Sequence, residues 1–361
     1  MEPIRLGHRG PRVADVQARL QSLGTRIEAR EADAAWFDAS TEAAVRAFQQ
    51  QRGLIVDGVV GPSTWRELVE AGYALGDRVL YLRAPPFRGD DVRGLQEGLD
   101  VLGFDPGRAD GIFGDRTSTA VQDFQRNVGL QPDGIVGATT LDALGRLRPP
   151  LPGPGRVTVR EEESLRSSAP LAGRTVTVDA GHDPSDPGGV GAGGLTEEAA
   201  TILLAEALAE ELTARGAEPV LLRLPGETPD ADHRVRRARE VDADVVVSIH
   251  LNSHDDPAAE GSSSYYFGQL GTVSVPGRAL AELIQEELTG RLGLRDGRTH
   301  QKAFPLLRET PMPAVHVEPC FITNPKEEQL LGEEAFRRDV ARAVADAVER
   351  FFAGPPQGRS P

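Results

Sequence analysis

Asp244-Val-Val-Val-Ser-Ile-His250-Leu-Asn252 is the stretch on which the fold of this chain turns. A nearly continuous apolar run of this length reads as a strand, and it ends on a histidine. Strand residues alternate faces, so Ser248 and His250 share one, and the strand end is where a polar pair escapes the core. On either side, strands alternate with helices. Residues 175–179 and 219–222 read as strands, with an amphipathic helix at 197–215 between them and a short helix at 232–240. Beyond His250, 265–267 reads as a strand, 278–292 as a helix, 314–318 as a strand and 333–352 as a closing helix. Such alternation implies an α/β layered domain with a mainly parallel sheet, here over 169–353. Sites in sheets of this kind collect at the carboxyl ends of the strands.

Three segments put chemistry there: Asp179-Ala-Gly-His182, Ser248-Ile-His250-Leu-Asn252 and Val317-Glu318-Pro-Cys-Phe-Ile-Thr-Asn324. Glu197 adds a carboxylate at the start of a helix, behind Thr196 as N-cap. Helical side chains lean towards the N-terminus, so this carboxylate points back at the strand ends. His182, Glu197 and His250 thus converge from three elements as a candidate metal set. Zinc suits two imidazoles and one carboxylate, with a fourth position left for water. Glu318, ending the next apolar strand, is the candidate general base and acid. Asp179 and Asn252 are candidates for hydrogen bonds that hold the imidazoles. His300 is a candidate for lining the substrate cleft, His316 shares a strand face with Glu318, and Asn324 closes the last segment. Glu198 is the rival of Glu197 for the metal. Cys320, the only cysteine, excludes an internal disulfide and reads as a buried spectator.

The N-terminal part carries an internal repeat. Val13-Ala-Asp-Val-Gln17-Ala-Arg-Leu20 matches Val92-Arg-Gly-Leu-Gln96-Glu-Gly-Leu99. Ala44-Val-Arg-Ala-Phe48-Gln49 matches Ala120-Val-Gln-Asp-Phe124-Gln125, and Asp57-Gly58-Val-Val-Gly61 matches Asp133-Gly134-Ile-Val-Gly137. The offset is 79 residues at the first block (13 to 92) and 76 at the second (44 to 120), so the first copy has the longer internal loop. Each copy reads as three short helices, the second of them starting at Thr41 or Thr117 as N-cap. Phe48 and Phe124 read as core. The copies occupy 1–75 and 80–147. A Pro/Gly and acidic linker follows at 148–168, and a disordered tail at 354–361.

Composition bounds the rest. At 361 residues the chain suggests two or three domains. A net charge of −15 argues against nucleic acid as a partner. No apolar run approaches the roughly 20 residues that span a bilayer, and the first residues show no secretory signal. The expectation from these features is a cytoplasmic chain, which would reach anything outside the cell only by an unconventional route or on lysis.

Taken together, Asp179–His182, Gly194-Leu-Thr-Glu197, Ser248-Ile-His250-Leu-Asn252 and Glu318 with Phe321 and Asn324 resemble the motifs of zinc-dependent N-acetylmuramoyl-L-alanine amidases. That resemblance implies one zinc ion per chain on His182, Glu197 and His250, with Glu318 as the catalytic residue. It also implies peptidoglycan or a muropeptide as substrate. The chain departs from the family pattern where Asp183-Pro184 replaces two glycines, where Glu198 replaces a lysine and where Cys320 replaces a glycine. The repeats resemble the peptidoglycan-binding modules attached to wall hydrolases, and the whole arrangement resembles the actinobacterial CwlM type. That type includes regulators with degraded metal sites. The alternative reading is therefore a non-catalytic cytosolic sensor that binds muropeptides or precursors through the same cleft.

Overall fold

The computed structural model describes residues 2–147 and 170–354. The expected linker, and the expected tail beyond Gly354, lie outside the described residues. The chain forms two compact units.

The N-terminal unit holds both copies of the repeat. The first copy contains α1 (Pro11–Ser22), α2 (Ala29–Asp33), α3 (Ala39–Arg52) and α4 (Pro62–Glu70); the second contains α5 (Asp90–Val101), α6 (Asp115–Asn127) and α7 (Ala138–Leu147). Three helices per copy are present as expected, and the longer loop of the first copy folds the additional helix α2. Each copy has its own core. Val13, Val16, Leu20, Val45, Phe48 and Leu68 pack in the first, and Val92, Leu95, Leu99, Val121, Phe124 and Leu144 in the second.

Thr41 and Thr117 are not N-caps. Helix α3 begins at Ala39 and α6 at Asp115, which leaves both threonines buried inside the first turn. Each is held there by a buried glutamine, through an arrangement that recurs four times. Gln49 Nε2 donates to Asp57 Oδ1 at 2.7 Å, the Val59 carbonyl at 3.0 Å and Thr64 Oγ1 at 3.1 Å, while Gly58 N donates to Gln49 Oε1 at 2.9 Å. Gln125 repeats this with Asp133, Ile135, Thr140 and Gly134. Gln96 does so with Asp110, Ile112, Thr117 and Gly111. Gln17 reaches Thr41 Oγ1 and the Trp36 carbonyl, both at 2.9 Å, but Ala34-Ala35 stands where the others have Asp-Gly. Every copy is thus two helix–turn–helix clasps, a finer repeat than the sequence blocks display.

The second unit is a seven-stranded mixed sheet, β1 (Thr175–Ala180), β2 (Glu218–Leu221), β3 (Val245–Ile249), β4 (Ser262–Gln269), β5 (Thr272–Val273), β6 (Asp296–Lys302) and β7 (Ala314–Glu318). The spatial order is β2-β1-β3-β7-β4-β5, with β6 beside β4. The first four strands in that order are mutually parallel, and β4 runs antiparallel to β7. Helices α8 (Glu197–Ala214), α10 (Val275–Leu292) and α13 (Glu334–Ala353) cover one face through Val176, Val178, Val247 and Val315. Helices α9 (Ala231–Glu240) and α11 (Pro305–Glu309) cover the other, and α12 (Pro325–Gly332) precedes α13. Covered on both sides, β3 is buried at all five positions, which is why its sequence is apolar almost throughout.

Register then places the chemistry. Asp179 lies beside Ser248 across β1–β3, and Ser248 beside His316 across β3–β7. His182, His250 and Glu318 therefore leave three adjacent parallel strands at their carboxyl edge.

Candidate metal centre

Helix α8 starts where expected. Thr196 accepts from Ala199 N at 3.2 Å, and Glu197 opens the first turn with its carboxylate directed at the strand ends. Glu197 Oε2 lies 3.2 Å from His182 Nε2, and Oε1 lies 3.0 Å from His250 Nδ1. One ligand atom from each of the three residues lies within 4.8 Å of the others. Tetrahedral zinc with bonds of ~2.0–2.1 Å needs donors about 3.3 Å apart, so this set fits one such ion. Among the described residues this is the only group of its kind.

Electrostatics describe the same site without an ion. Burial opposes charge on His182, but the hydrogen bond and charge of Glu197, and then those of Asp186, raise its pKa to about 9. Burial favours a neutral Glu197, yet the two imidazoles hold it well below the usual carboxylate range. An anion enclosed by two imidazoles is a site that a divalent cation can enter by displacing protons.

Backbone geometry explains how such crowding is tolerated. Gly181 provides room, since a Cβ there would meet the His250 ring at 2.5 Å. The left-handed residue is His182 itself, at φ 59°. Gly188 approaches so closely that a Cβ would lie 2.6 Å from His182 Cδ2 and 2.7 Å from Glu197 Oε2. Gly189 N donates to Glu197 Oε2 at 3.0 Å, and Leu251 N to Oε1 at 2.9 Å. A glycine pair thus closes on the ligands from six residues beyond His182, which accommodates Asp183-Pro184 directly after it.

Several expected partners are placed differently. Asp179 does not touch an imidazole; buried on β1, it accepts from Ser248 Oγ at 2.7 Å and Arg234 Nη1 at 2.6 Å. Arg234 also donates to the carbonyls of Ala180 and His182, so Asp179 acts on the ligand's backbone rather than its ring. The residue at the ring is Asp186, whose Oδ2 lies 3.0 Å from His182 Nδ1. Asn252 also fails to reach an imidazole. Its Oδ1 accepts from Ser253 N, and its backbone pairs with Cys320 and Ile322. Asn324 caps α12 and donates to the Ala259 carbonyl at 3.0 Å. Glu198 pairs with the fully buried Arg223 at 2.9 Å and is not part of the His182–Glu197–His250 group. Cys320 is buried, and that burial pushes its thiol well up.

Around Glu318 the structure adds a residue that sequence reading missed. Tyr265 Oη donates to Glu318 Oε2 at 2.8 Å, and His316 Nε2 lies 3.2 Å from Oε1. His316 stacks on His250 at 4.2 Å between ring centroids, which links the carboxylate to the ligand cluster. Burial, then Glu318, pushes the Tyr265 phenol up, so it stays a proton donor. Burial, then His250, lowers His316, against the pull of Glu318 and Glu197. His300 lies on the exposed side of β6, with Nε2 2.7 Å from the Gly297 carbonyl and its ring 5.7 Å from that of Tyr265. Tyr265 sits in Ser262-Ser-Ser-Tyr-Tyr266, where nothing but its place opposite His316 on β7 marks it.

Comparison with known proteins bears on this geometry. Residues 176–350 match the N-acetylmuramoyl-L-alanine amidase family. Residues 9–68 and 88–144 each match the family described as "Putative peptidoglycan binding domain". The N-acetylmuramoyl-L-alanine amidase CwlM of Mycobacterium tuberculosis is 39% identical over 97% of this chain and 90% of its own length. The chain belongs to the N-acetylmuramoyl-L-alanine amidase family. LytC of Bacillus subtilis, another such amidase, is 33% identical over 51% of this chain, which spans 36% of LytC. The solved structure of amidase AmiC2 of Nostoc punctiforme is 29% identical, covering 49% of this chain and 96% of its own, with a TM-score of 0.46. The family is one of amide-bond hydrolases, and the reading as a non-catalytic regulator is not favoured. No helix among the described residues is long and apolar enough to cross a membrane.

Proposed function

We propose that this chain hydrolyses the amide between the lactyl group of N-acetylmuramic acid and L-alanine in peptidoglycan, with one zinc ion per chain. The observation that carries this reading is the His182–Glu197–His250 cluster with Glu318 at the neighbouring strand end. Zinc held by those three side chains supplies a Lewis acid for the scissile carbonyl and a water of lowered pKa.

The chain's own residues do the rest. Asp186 fixes the ring of His182, while Gly189 N and Leu251 N fix the two oxygens of Glu197. Glu318 takes the proton of the attacking water and returns it to the leaving amine of L-alanine. Tyr265, and His316 with Nε2 protonated, donate to the two oxygens of Glu318. Both hydrogen bonds aim the free lone pairs of the carboxylate. The N-terminal modules would hold the enzyme on its polymer and raise the local substrate concentration.

Metal analysis combined with mass spectrometry of digested peptidoglycan tests the proposal. Zinc near one equivalent, and free stem peptides beginning with L-alanine that vanish on chelation, are the expected results. A zinc-loaded chain that leaves the polymer intact would refute it.

A further inference from the structure

Within the N-terminal unit an open cleft of about 440 Å³ lies beside α4, lined by Trp65, Arg66, Val69 and Tyr73 together with Arg78 and Arg88. Glu70 also faces it. The repeat provides an internal control. At the equivalent places α7 keeps Thr140 for Thr64 and Leu144 for Leu68, the clasp threonine and a core leucine. It carries Leu141, Asp142 and Gly145 where α4 has Trp65, Arg66 and Val69. Pro62 and Glu70 of the cleft differ too, with Ala138 and Arg146 in their places, so two copies that share their clasp and core differ at all five α4 residues that line it. The second copy closes its clasp and core with Leu141 and Asp142 in place of the indole and the guanidinium.

The charges in the cleft are unequal in what they can still bind. Arg78 is already committed. Its guanidinium lies 3.7 Å from the Tyr73 ring centroid and bonds to Asp91 at 2.7 Å. Arg66 is exposed and makes no ion pair with any described residue. A half-buried indole and tyrosine ring next to an unpaired guanidinium suit a ligand with an aliphatic body and a carboxylate. With Arg78 paired to Asp91, Arg66 and Arg88 against Glu70 still leave the cleft lining net positive in a chain of net charge −15, which favours an anion over a neutral sugar.

We propose that this cleft binds a carboxylate of the peptidoglycan stem peptide, with Arg66 pairing the carboxylate and Trp65 and Val69 packing on the aliphatic part. The inference rests on the peptidoglycan reading given above and assigns the first module, not the second, as the anchor.

Trp36 and Trp65 are the only tryptophans, so the full chain carrying Trp36→Phe leaves Trp65 as sole reporter. Titration with free stem peptide should give a saturable change in its emission. Adding Arg66→Asp, the residue found in the second copy, should weaken that binding at least tenfold. Amidating the peptide's carboxyls should do the same. In calorimetry, Trp65→Leu should lose the same binding event. If Trp65→Leu fails to fold, the exposed Arg66→Asp still decides the matter. Turnover of a soluble muramyl-peptide by the wild-type chain reads the amidase activity separately. No saturable change, a change indifferent to Arg66→Asp, or a response to peptide-free glycan strands alone would overturn the proposal. A wild-type chain that binds the peptide here but never cleaves the soluble substrate would instead sink the amidase reading.

Discussion

The four glutamine clasps and the His182–Glu197–His250 cluster each centre on a buried polar side chain, yet they are satisfied in opposite ways. In the clasps of Gln49, Gln96 and Gln125 each amide gives and receives within its own turn, and Nε2 and Oε1 both have partners. A closed arrangement has no capacity left for a ligand and serves only to fix a turn. In the amidase domain one carboxylate already accepts from two backbone amides and still faces two imidazoles. Charge concentrated beyond what local folding needs marks chemistry. Residues repeated exactly between copies here report architecture, and residues brought together from distant segments report function.

The contrast is broken most severely at Glu318. Glu318→Gln removes the proton carrier but touches none of the three ligands, so kcat should fall by about 10²–10⁴-fold with zinc content unchanged. Loss of zinc together with activity would show that Glu318 is part of the metal set. A smaller effect is expected for Tyr265→Phe. It removes one hydrogen bond to a charged group, about 1.5–3 kcal/mol, or roughly 10–100-fold in kcat. KM should barely move, and an equal change in KM would mean that Tyr265 contacts substrate instead.

The parallel core and the strand ends that carry the candidate site residues were legible because burial on both faces makes a strand apolar. Val245–Ile249 and Ala314–Glu318 therefore stand out, with Ser248, His316 and Glu318 as their polar exceptions. Strand β6 was not legible. Asp296-Gly-Arg-Thr-His-Gln-Lys302 is polar at every position, and most of those positions face solvent in the structure. What holds it is backbone pairing with β4, which leaves no hydrophobic period to read. The partners of the ligands were misplaced for a related reason. Asp179 opens the segment that carries His182, but an inward-facing residue on a central strand is claimed by the sheet and by Arg234, whereas Asp186 lies on the loop that folds back over the ring. Glu318's other partner, Tyr265, comes from an antiparallel strand whose register a local pattern does not contain.

The clasps predict stability effects of intermediate size. Gln125→Ala orphans the Asp133 turn and Thr140 in one step and should cost about 1–3 kcal/mol. Gln17→Ala should cost less, because Gln17 Oε1 is a buried acceptor with no partner. Native-state hydrogen exchange resolved by helix measures each copy separately, and equal losses would erase the distinction between closed and incomplete clasps. The two copies are also joined by charge. Asp90 accepts from Arg52 of the first copy at 2.7 Å and from Arg93 of the second at 2.6 Å. Burial works against the Asp90 carboxylate, but these arginines hold it below its ordinary value of 3.8. Its contribution is thus fully present above pH 3.8 and disappears as pH falls through the depressed folded value. Asp90→Asn should make α3 and α5 exchange faster at pH 5 and above, by about 1 kcal/mol, with the difference closing in acid. A pH-independent difference would exclude the charge as its cause.

The smallest effect expected is at Ala35, and it has the opposite sign. Ala35 occupies the place of Gly58, Gly111 and Gly134 in the other clasps and shares their left-handed backbone, at φ 46°. An alanine Cβ is strained there by roughly 1–2 kcal/mol. Glycine gives back part of that gain through the greater freedom of its unfolded chain, about 0.4–1 kcal/mol. Ala35→Gly should therefore stabilise the first copy by roughly 0.5–1 kcal/mol, seen as slower exchange in α1 and α3 and no change in α5 to α7. The Ala35 amide now donates to the Ala32 carbonyl at 3.1 Å, whereas each glycine amide in the intact clasps donates to its glutamine. Adding Ala34→Asp should let this turn re-form around Gln17 and supply its unmatched Oε1, a further gain in the same helices. If the double variant is no more stable than Ala35→Gly, the incomplete clasp is held open by α2 rather than by its lost Asp-Gly.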